Sequence, residues 1–262
     1  MDHNTMLAYL MGQRRGGGSS GGGDIDALID RSITEIHSNA ESIGDYAFYN
    51  CDTLATADFP VATSIGYKAF YNCAALTTAD FPAATSIGNY AFQSCGRLAT
   101  ADFPVATSIG IYAFYSCDAL ATADFPVATS IGNYAFQSCG RLATADFPVA
   151  TSIGDYAFYN CDTLATADFP VATSIGSKAF SVCDKLQSFI LRNTEQVCTL
   201  SNTSAFNSTP ITSGTGYIYV PRALVDSYKA ATNWSTYADQ IRALEDYTVD
   251  GTTTGALDET KI

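Results

Sequence analysis

The fold of this chain is decided by a 22-residue string that occurs twice, letter for letter. Residues 86–107 read SIGNYAFQSCGRLATADFPVAT, and the same letters return at residues 130–151. A sister string, SIGDYAFYNCDTLATADFPVAT, fills residues 42–63 and returns at 152–173. With near-copies starting at positions 64, 108 and 174, seven tandem units run from residue 42 to about residue 192. A fixed period of this length predicts a solenoid, in which each unit packs only on its neighbours.

Each unit has the pattern of one coil with a buried strand. In the first unit, Ala57 and Phe59 alternate with Thr56 and Asp58, which predicts a short strand with alanine and phenylalanine inward. Neighbouring strands should pair in parallel about 4.8 Å apart. The residue columns that recur down the array are, in the first unit, Ile43, Gly44, Ala47, Phe48, Cys51, Leu54 and Phe59.

The corner between successive strands is predicted from the second unit. Gly66 is expected to allow a sharp turn because glycine has no side chain. Residues 68–73 are expected to form a single helical or 3₁₀ turn. Seven such coils would give an elongated, ordered domain.

The pattern I-G-x-x-A-F-x-x-C-x-x-L-x-x-A-x-F-P over residues 42–192 resembles the leucine-rich repeat of the bacterial surface-antigen type, called BspA-like. The family's usual strand reads L-x-x-I-x-I-P, whereas alanine and phenylalanine stand at the two later positions here. The resemblance implies a right-handed, gently curved coil with parallel short strands. It also implies surface adhesion or partner binding without catalysis. Similar repeats resemble virion-associated proteins of prophages in gut bacteria.

The flanking sequence divides the chain further. Residues 1–15 are interpreted as an N-terminal docking peptide, 16–23 as a Gly/Ser linker and 24–41 as an N-terminal cap. Residues 193–247 are interpreted as a mixed α/β C-terminal cap, and 248–262 as a hairpin and acidic tail. In the N-terminal cap, residues 33–36 echo the repeat strand with a slip of one residue.

The two ends carry their own local signals. One side of a helix at the start would present four apolar side chains to a carrier assembly, namely Met6, Leu7, Leu10 and Met11. Near the other end, residues 216–220 predict a strand and Pro221 the start of a helix that carries Leu224, Val225 and Tyr228. A second helix is expected there with an apolar face of Trp234, Tyr237, Ile241 and Leu244.

Charge and hydropathy narrow the classes of partner. The chain carries 26 acidic against 13 basic residues, a net charge of −13, so duplex nucleic acid and anionic membranes would be repelled. No apolar run has the length of a membrane helix. The short apolar stretch near the start is followed by Arg14 and Arg15, the opposite polarity to a secretory signal. We therefore expect no membrane insertion. The BspA-like resemblance implies an extracellular or virion-surface location, which here would be reached without a signal peptide.

The cysteines and histidines do not form a reactive set. Metal sites need ligand pairs two to four residues apart, whereas seven of the cysteines are spaced by 22 and Cys198 stands apart from them. We expect reduced, buried thiols at Cys51, Cys73, Cys95, Cys117, Cys139, Cys161, Cys183 and Cys198. His3 lies in the N-terminal segment and His37 in the cap, and no Ser/His/Asp or Cys/His set can be argued from these two positions. No cofactor, metal or catalytic residue is predicted.

An acidic row should line one sheet face beside a row of threonines. Carboxylates about 5 Å apart would suit a retaining glycosidase, but identical coils cannot give the two different environments that acid and base need. The favoured interpretation is a solvated face whose aspartates bond to threonine or turn amides, with cation binding as an alternative. The row consists of Asp58, Asp80, Asp102, Asp124, Asp146 and Asp168.

The variable columns around the A-F element are rich in tyrosine. Tyrosine offers a large contact area at low entropic cost, with a hydroxyl for polar contacts. The rings either shield the turn or form a stripe that binds ligand, and these alternatives stay open. The candidate ligand-binding residues are Tyr46, Tyr49, Tyr71, Tyr90, Tyr112, Tyr115, Tyr134, Tyr156 and Tyr159.

The sequence thus favours a non-enzymatic binding or adhesion solenoid, displayed through residues 1–15 and recognising a protein or glycan on a cell surface. A purely structural spacer or decoration protein is the first alternative. A polysaccharide depolymerase is the second.

Overall fold

A computed structural model describes residues 32–246 of the chain. The docking peptide, the linker, residues 24–31 of the N-terminal cap, Tyr247 and the hairpin with its acidic tail lie outside the described residues. In the described part, no helix combines the length and the apolar character that a membrane crossing requires.

Residues 32–246 form a solenoid of parallel strands with the expected 22-residue period. On one side, neighbouring coils pair in register, as in Thr56 with Thr78 and Asp58 with Asp80. This side carries ten strands within the described range: Glu35–His37, Thr56–Asp58, Thr78–Asp80, Thr100–Asp102, Thr122–Asp124, Thr144–Asp146, Thr166–Phe169, Ser188–Leu191, Tyr217–Val220 and Ile241–Ala243. The solenoid therefore continues beyond the seven repeats at both ends.

A second sheet of two-residue strands runs along the opposite side of the coils. Each isoleucine in it is buried, and each serine is partly exposed in the repeats. Its eight strands are Ser42–Ile43, Ser64–Ile65, Ser86–Ile87, Ser108–Ile109, Ser130–Ile131, Ser152–Ile153, Ser174–Ile175 and Thr199–Leu200. The threonine before each serine adds a side-chain bond between coils; the Thr85 hydroxyl, for example, donates to the Thr63 carbonyl at 3.0 Å.

Two ladders of phenylalanine rings fill the space between the sheets. Phe92, Phe114 and Phe136 stack with centroids 5.3 Å apart, and Phe103 stacks on Phe125 at 5.4 Å. All of these rings are fully buried. The inward direction predicted for Ala57 and Phe59 is confirmed, since both are 0% exposed.

The cysteine column is buried beside the phenylalanine ladder. All eight cysteines are buried thiols, as the sequence predicted. From Cys73 to Cys183, each thiol donates to the carbonyl of the phenylalanine 25 residues earlier, at 3.1–3.2 Å. The thiols thus fill volume and satisfy backbone carbonyls between coils.

The corner of each coil differs from the expected helical turn. Lys68 and Asn72 have φ angles of +51° and +56°, so the segment is a pair of tight turns through the left-handed region. Gly66 itself does not have a positive φ. A Cβ there would lie 2.7 Å from the Asp45 backbone nitrogen, so glycine is needed for the close approach of stacked coils and not for a turn.

The N-terminal part of the described chain is one further coil. Glu35 pairs with Thr56 and His37 with Asp58, an offset of 21 residues instead of 22. The predicted slip of one residue is confirmed. Ile36 takes the place of the inward alanine and is fully buried.

The C-terminal region combines two more coils with short helices. The predicted strand is present at Tyr217–Val220. The expected second helix is wrong in its last part, because Ile241 lies in a strand that pairs with Tyr217–Val220. The helices are Pro210–Ser213 and Val225–Ala230, with 3₁₀ segments Arg222–Leu224, Trp234–Gln240 and Leu244–Asp246.

Aromatic side chains of this region close the last repeat. The Trp234 indole donates to the Cys198 carbonyl at 2.6 Å, and the Tyr228 hydroxyl accepts from the Cys198 amide at 2.9 Å. Phe206 continues the phenylalanine ladder and contacts Tyr237 edge to face at 5.3 Å. These contacts cover the end of the core that the last full repeat would otherwise expose.

Candidate functional site: the tyrosine surface

The predicted tyrosines form one surface at the corners of the coils, here called the tyrosine surface. Tyr46 is 47% exposed, and the other eight candidates are each partly exposed. Backbone bonds between coils fix their positions; the Tyr134 amide, for example, donates to the Asp155 carbonyl at 2.8 Å. The structure therefore brings together all the residues that the sequence proposed for this stripe.

Five of these tyrosines have backbones in the left-handed region. Tyr90 and Tyr134 have φ angles of +60°, and Tyr112 has +57°. A bulky residue in this region costs of order 1–2 kcal/mol, whereas glycine and asparagine adopt it readily. The tyrosine ring must therefore contribute something at these positions that offsets the unfavourable backbone.

Four rings of the first column stack directly on one another. Centroid distances are 4.9 Å for Tyr90–Tyr112, 4.4 Å for Tyr112–Tyr134 and 4.8 Å for Tyr134–Tyr156, with planes within 12° of parallel. Both faces of Tyr112 and Tyr134 thus touch a neighbouring ring. What remains for a partner on these rings is the edges and the hydroxyl groups.

A lysine lies at each end of this four-ring stack. Lys68 Nζ lies 5.3 Å from the ring centre of Tyr90, and Lys178 Nζ lies 5.3 Å from that of Tyr156. Both distances are within the range of a cation–π contact. The structure therefore shows why lysine replaces tyrosine in these two coils: it terminates the stack.

The second column is discontinuous. Tyr49 stacks on Tyr71 at 5.0 Å, and Tyr115 contacts Tyr112 edge to face at 5.5 Å. Gln93 and Gln137 interrupt this column, and the Oε1 atom of each is buried without a hydrogen-bond partner.

Tyr67 belongs to the surface but is missing from the sequence prediction. Its ring contacts Tyr46 at 5.3 Å and Tyr90 at 5.5 Å, both edge to face, and so bridges the gap at Lys68. The signal was present in the sequence, because Tyr67 is the one tyrosine in a column that otherwise reads Asp45, Asn89, Ile111, Asn133, Asp155 and Ser177.

Two phenol groups of the surface have raised pKa values. Desolvation raises the pKa of Tyr112 above its ordinary value, and the neighbouring Tyr134 raises it further. Desolvation and then Tyr67 raise the pKa of Tyr46. Both groups therefore keep their proton at neutral pH and can act as hydroxyl donors.

The aspartate row lies on the sheet of Thr-Ala-Asp strands, and a histidine and an arginine contact the aspartates at its two ends. His37 Nδ1 lies 2.9 Å from Asp58, and Arg192 holds Asp168 with its Nη2 at 2.6 Å and its Nε at 3.2 Å. Desolvation, followed by the charge of Asp168, raises the pKa of Asp146.

The interior aspartates differ from the expected hydrogen-bonded row. In residues 32–246, no side-chain hydrogen bond joins Asp80, Asp102, Asp124 or Asp146 to a threonine or a turn amide; the threonine hydroxyls that bond between coils, such as those of Thr77 and Thr85, belong to other columns and donate to carbonyls. The same range contains no cluster of three or more His, Cys, Asp or Glu residues placed to hold a metal ion.

The repeat region matches a known protein family. The family model described as "BspA type Leucine rich repeat region" matches residues 30–142 and 107–220, with six copies. The chain belongs to this family. The resemblance read from the I-G-x-x-A-F-x-x-C pattern is thereby confirmed.

Solved structures of leucine-rich repeat proteins share the fold. A leucine-rich repeat protein from Bacteroides ovatus is 26% identical with a TM-score of 0.58, covering 72% of this chain. The match covers 56% of that protein, so the chain spans little more than half its length. A leucine-rich repeat protein of T. pallidum is 28% identical with a TM-score of 0.56, covering 58% of this chain and 78% of its own. The comparison with curated proteins gives no match.

Proposed function

We propose that this BspA-type chain is a non-enzymatic binding or adhesion protein that engages its partner through the tyrosine surface. Proteins of the family are generally binding scaffolds and are typically surface-associated. The observation that carries the proposal is the retention of tyrosine at left-handed positions where asparagine would strain the backbone less.

The geometry favours a protein over a glycan as the partner. Protein sites that bind sugars commonly offer a free aromatic face, and the faces of Tyr112 and Tyr134 are covered by neighbouring rings. Ring edges and phenol hydroxyls suit a protein surface, where tyrosine is enriched among the residues that dominate binding energy.

The test is a double substitution, Tyr112→Asn with Tyr134→Asn, in the full chain. Asparagine accepts the left-handed backbone, so the rings are removed without adding strain. Labelled wild type and variant are applied to arrays of extracellular proteins and of glycans. We expect protein targets that the variant binds at least ten times more weakly. Tyr217→Asn removes a partly exposed tyrosine outside this surface and is the matched control.

Two results would contradict this proposal. Targets found solely on the glycan array would make the partner a carbohydrate. Targets retained by the double variant would place the binding site outside the tyrosine surface. No targets at all would favour the spacer or decoration protein.

We also propose that residues 1–15 display the solenoid on a carrier at a cell or virion surface. The support is the spacing of Met6, Leu7, Leu10 and Met11 on one side of a helix, followed by eight Gly/Ser residues. Deletion of residues 1–23 should leave the melting temperature unchanged and abolish co-sedimentation with the carrier. A markedly lower melting temperature would instead make the segment part of the fold.

A further inference from the structure

The third and fifth coils differ from the others at the end of the corner segment. Both are copies of the same 22-residue string, and both carry a Gly-Arg pair, Gly96-Arg97 and Gly140-Arg141. The first and sixth coils carry Asp-Thr at the same two columns, as Asp52-Thr53 and Asp162-Thr163. Compared with an Asp-Thr pair, each Gly-Arg pair therefore lacks one negative charge and carries one additional positive charge.

The two glycines are not required by the backbone. Neither has a positive φ. A Cβ at Gly96 would meet nothing within 4 Å, and one at Gly140 would meet only Asp162 Oδ2 at 3.9 Å. Glycine at these positions thus leaves open space beside the arginine and omits an acid that the fold would accept.

Arg97 and Arg141 are exposed and have no ion-pair partner in the described part of the chain. They lie two coils apart, so their backbones are about 10 Å from each other. Asp118 is exposed in the coil between them and opposes one of the two charges. Across the third to fifth coils, these two columns hold two arginines against one aspartate, and Asp162 of the sixth coil lies beside Gly140 at the end of this stretch.

The arginines follow the corner segment that carries the tyrosine surface. Gln93 and Gln137 precede them by four residues, which limits the separation of the backbones to about 14 Å. The same two coils hold the buried glutamine oxygens that have no partner. Antibody binding loops have a similar composition: they are rich in tyrosine, serine, glycine and asparagine, and arginine is found at their strongest contacts.

We propose that Arg97 and Arg141 form a two-point site for an acidic segment of a protein partner, laid along the tyrosine surface across the third to fifth coils. This inference rests on the proposed function. Each guanidinium would hold one carboxylate with parallel N–H bonds, and the neutral phenols would donate to further acceptors. The spacing of two coils selects acids that are about 10 Å apart.

The experiment replaces the Gly-Arg pairs with the pair that the first and sixth coils use. The variant G96D/R97T/G140D/R141T keeps residues that the same coil geometry already accepts. Lys185→Thr removes a cation from the same column in the seventh coil and is the matched control. The probes are poly-L-glutamate, polygalacturonate and poly-L-lysine, with binding to the full chain measured at about 0.15 M salt, where charges further than about 8 Å are screened.

We expect the wild type and K185T to bind poly-L-glutamate and the quadruple variant to bind it at least ten times more weakly. Absence of binding to the wild type, or equal binding by the quadruple variant, would overturn the inference. Tighter binding of polygalacturonate, lost in the variant, would make the partner an acidic glycan and overturn the assignment to a protein.

The tyrosine double variant separates this inference from the function on which it rests. If Y112N/Y134N abolishes binding of poly-L-glutamate while the quadruple variant binds normally, the arginine site is wrong and the tyrosine surface stands. If both variants bind as the wild type does, the tyrosine surface is wrong as well.

Discussion

At the residue scale, each position of the repeat is defined by its contact with the same position one coil away. Phe114 lies between Phe92 and Phe136 with both centroids at 5.3 Å. The Cys117 thiol bonds the Phe92 carbonyl, and Tyr112 stacks between two tyrosines. A substitution therefore removes contacts in three coils at once.

Truncation of a ladder ring gives a direct measure of this packing. Phe114→Ala should lower the free energy of unfolding by about 3–5 kcal/mol, because it leaves a cavity in a fully buried site. Because each coil is stabilised by its contacts with the two neighbouring coils, weakening a central coil should also split denaturant unfolding into two phases. Urea unfolding followed by circular dichroism is the measurement. A loss below about 1 kcal/mol would show that the neighbouring rings collapse into the space.

The buried thiols predict a loss of stability at alkaline pH. Burial raises the pKa of Cys183 and Cys198 to about 12, whereas an unfolded cysteine ionises near 8.5. Their contribution is complete below about pH 8.5 and falls as the pH rises towards 12, since only the unfolded chain releases the proton. The urea midpoint should fall between pH 7.5 and 10, and fall less in C183A/C198A. Equal falls would place the cause in other groups.

At the element scale, the Thr-Ala-Asp strands are too short to be stable alone, so the sheet is stabilised by pairing between strands of neighbouring coils. That pairing is interrupted twice. The amides of Ala121 and Ala165 donate to the coil before at 2.9 Å, whereas those of Ala99 and Ala143 have no such backbone bond in the described range. Phe81 and Phe103, beside the first interruption, are 6.2 Å apart instead of 5.4 Å.

Hydrogen exchange should detect these interruptions. An amide without a backbone acceptor exchanges through smaller openings than a bonded one. We expect Ala99 and Ala143 to exchange at least ten times faster than Ala121 and Ala165, which stand in the same column and serve as internal controls. Equal protection at all four amides would mean that the ladder is continuous in solution.

At the scale of the whole molecule, stability is a sum over coils and the contacts between successive coils. The exact repetition of the string at 86–107 and 130–151 lets one coil replace the other without new junctions. The closing aromatic contacts of Trp234 and Tyr228 belong to the last coils and would be unaffected by a change in coil number.

Deletion of residues 86–129 tests this additivity. The deletion joins the second coil to the fifth. Because the fifth coil has the same sequence as the third, the new junction repeats the native junction between the second and third coils, and the junction between the fifth and sixth coils is unchanged. The shortened protein should fold and unfold cooperatively, with a lower midpoint and a smaller urea m-value because less surface is buried. An aggregated or unfolded product would show that the coils are not interchangeable.

The sequence by itself determined the period, the inward columns, the free thiols and the family, because each of these follows from a pattern that repeats every 22 residues. Tertiary structure alone decided how neighbouring coils meet. It turned the expected helical turn into left-handed corners such as Lys68 and placed Ile241 in a strand. It also stacked Tyr112 and Tyr134 face to face, so that their edges remain for a partner. The physical reason is that these features depend on distances between coils, which no pattern within one coil contains.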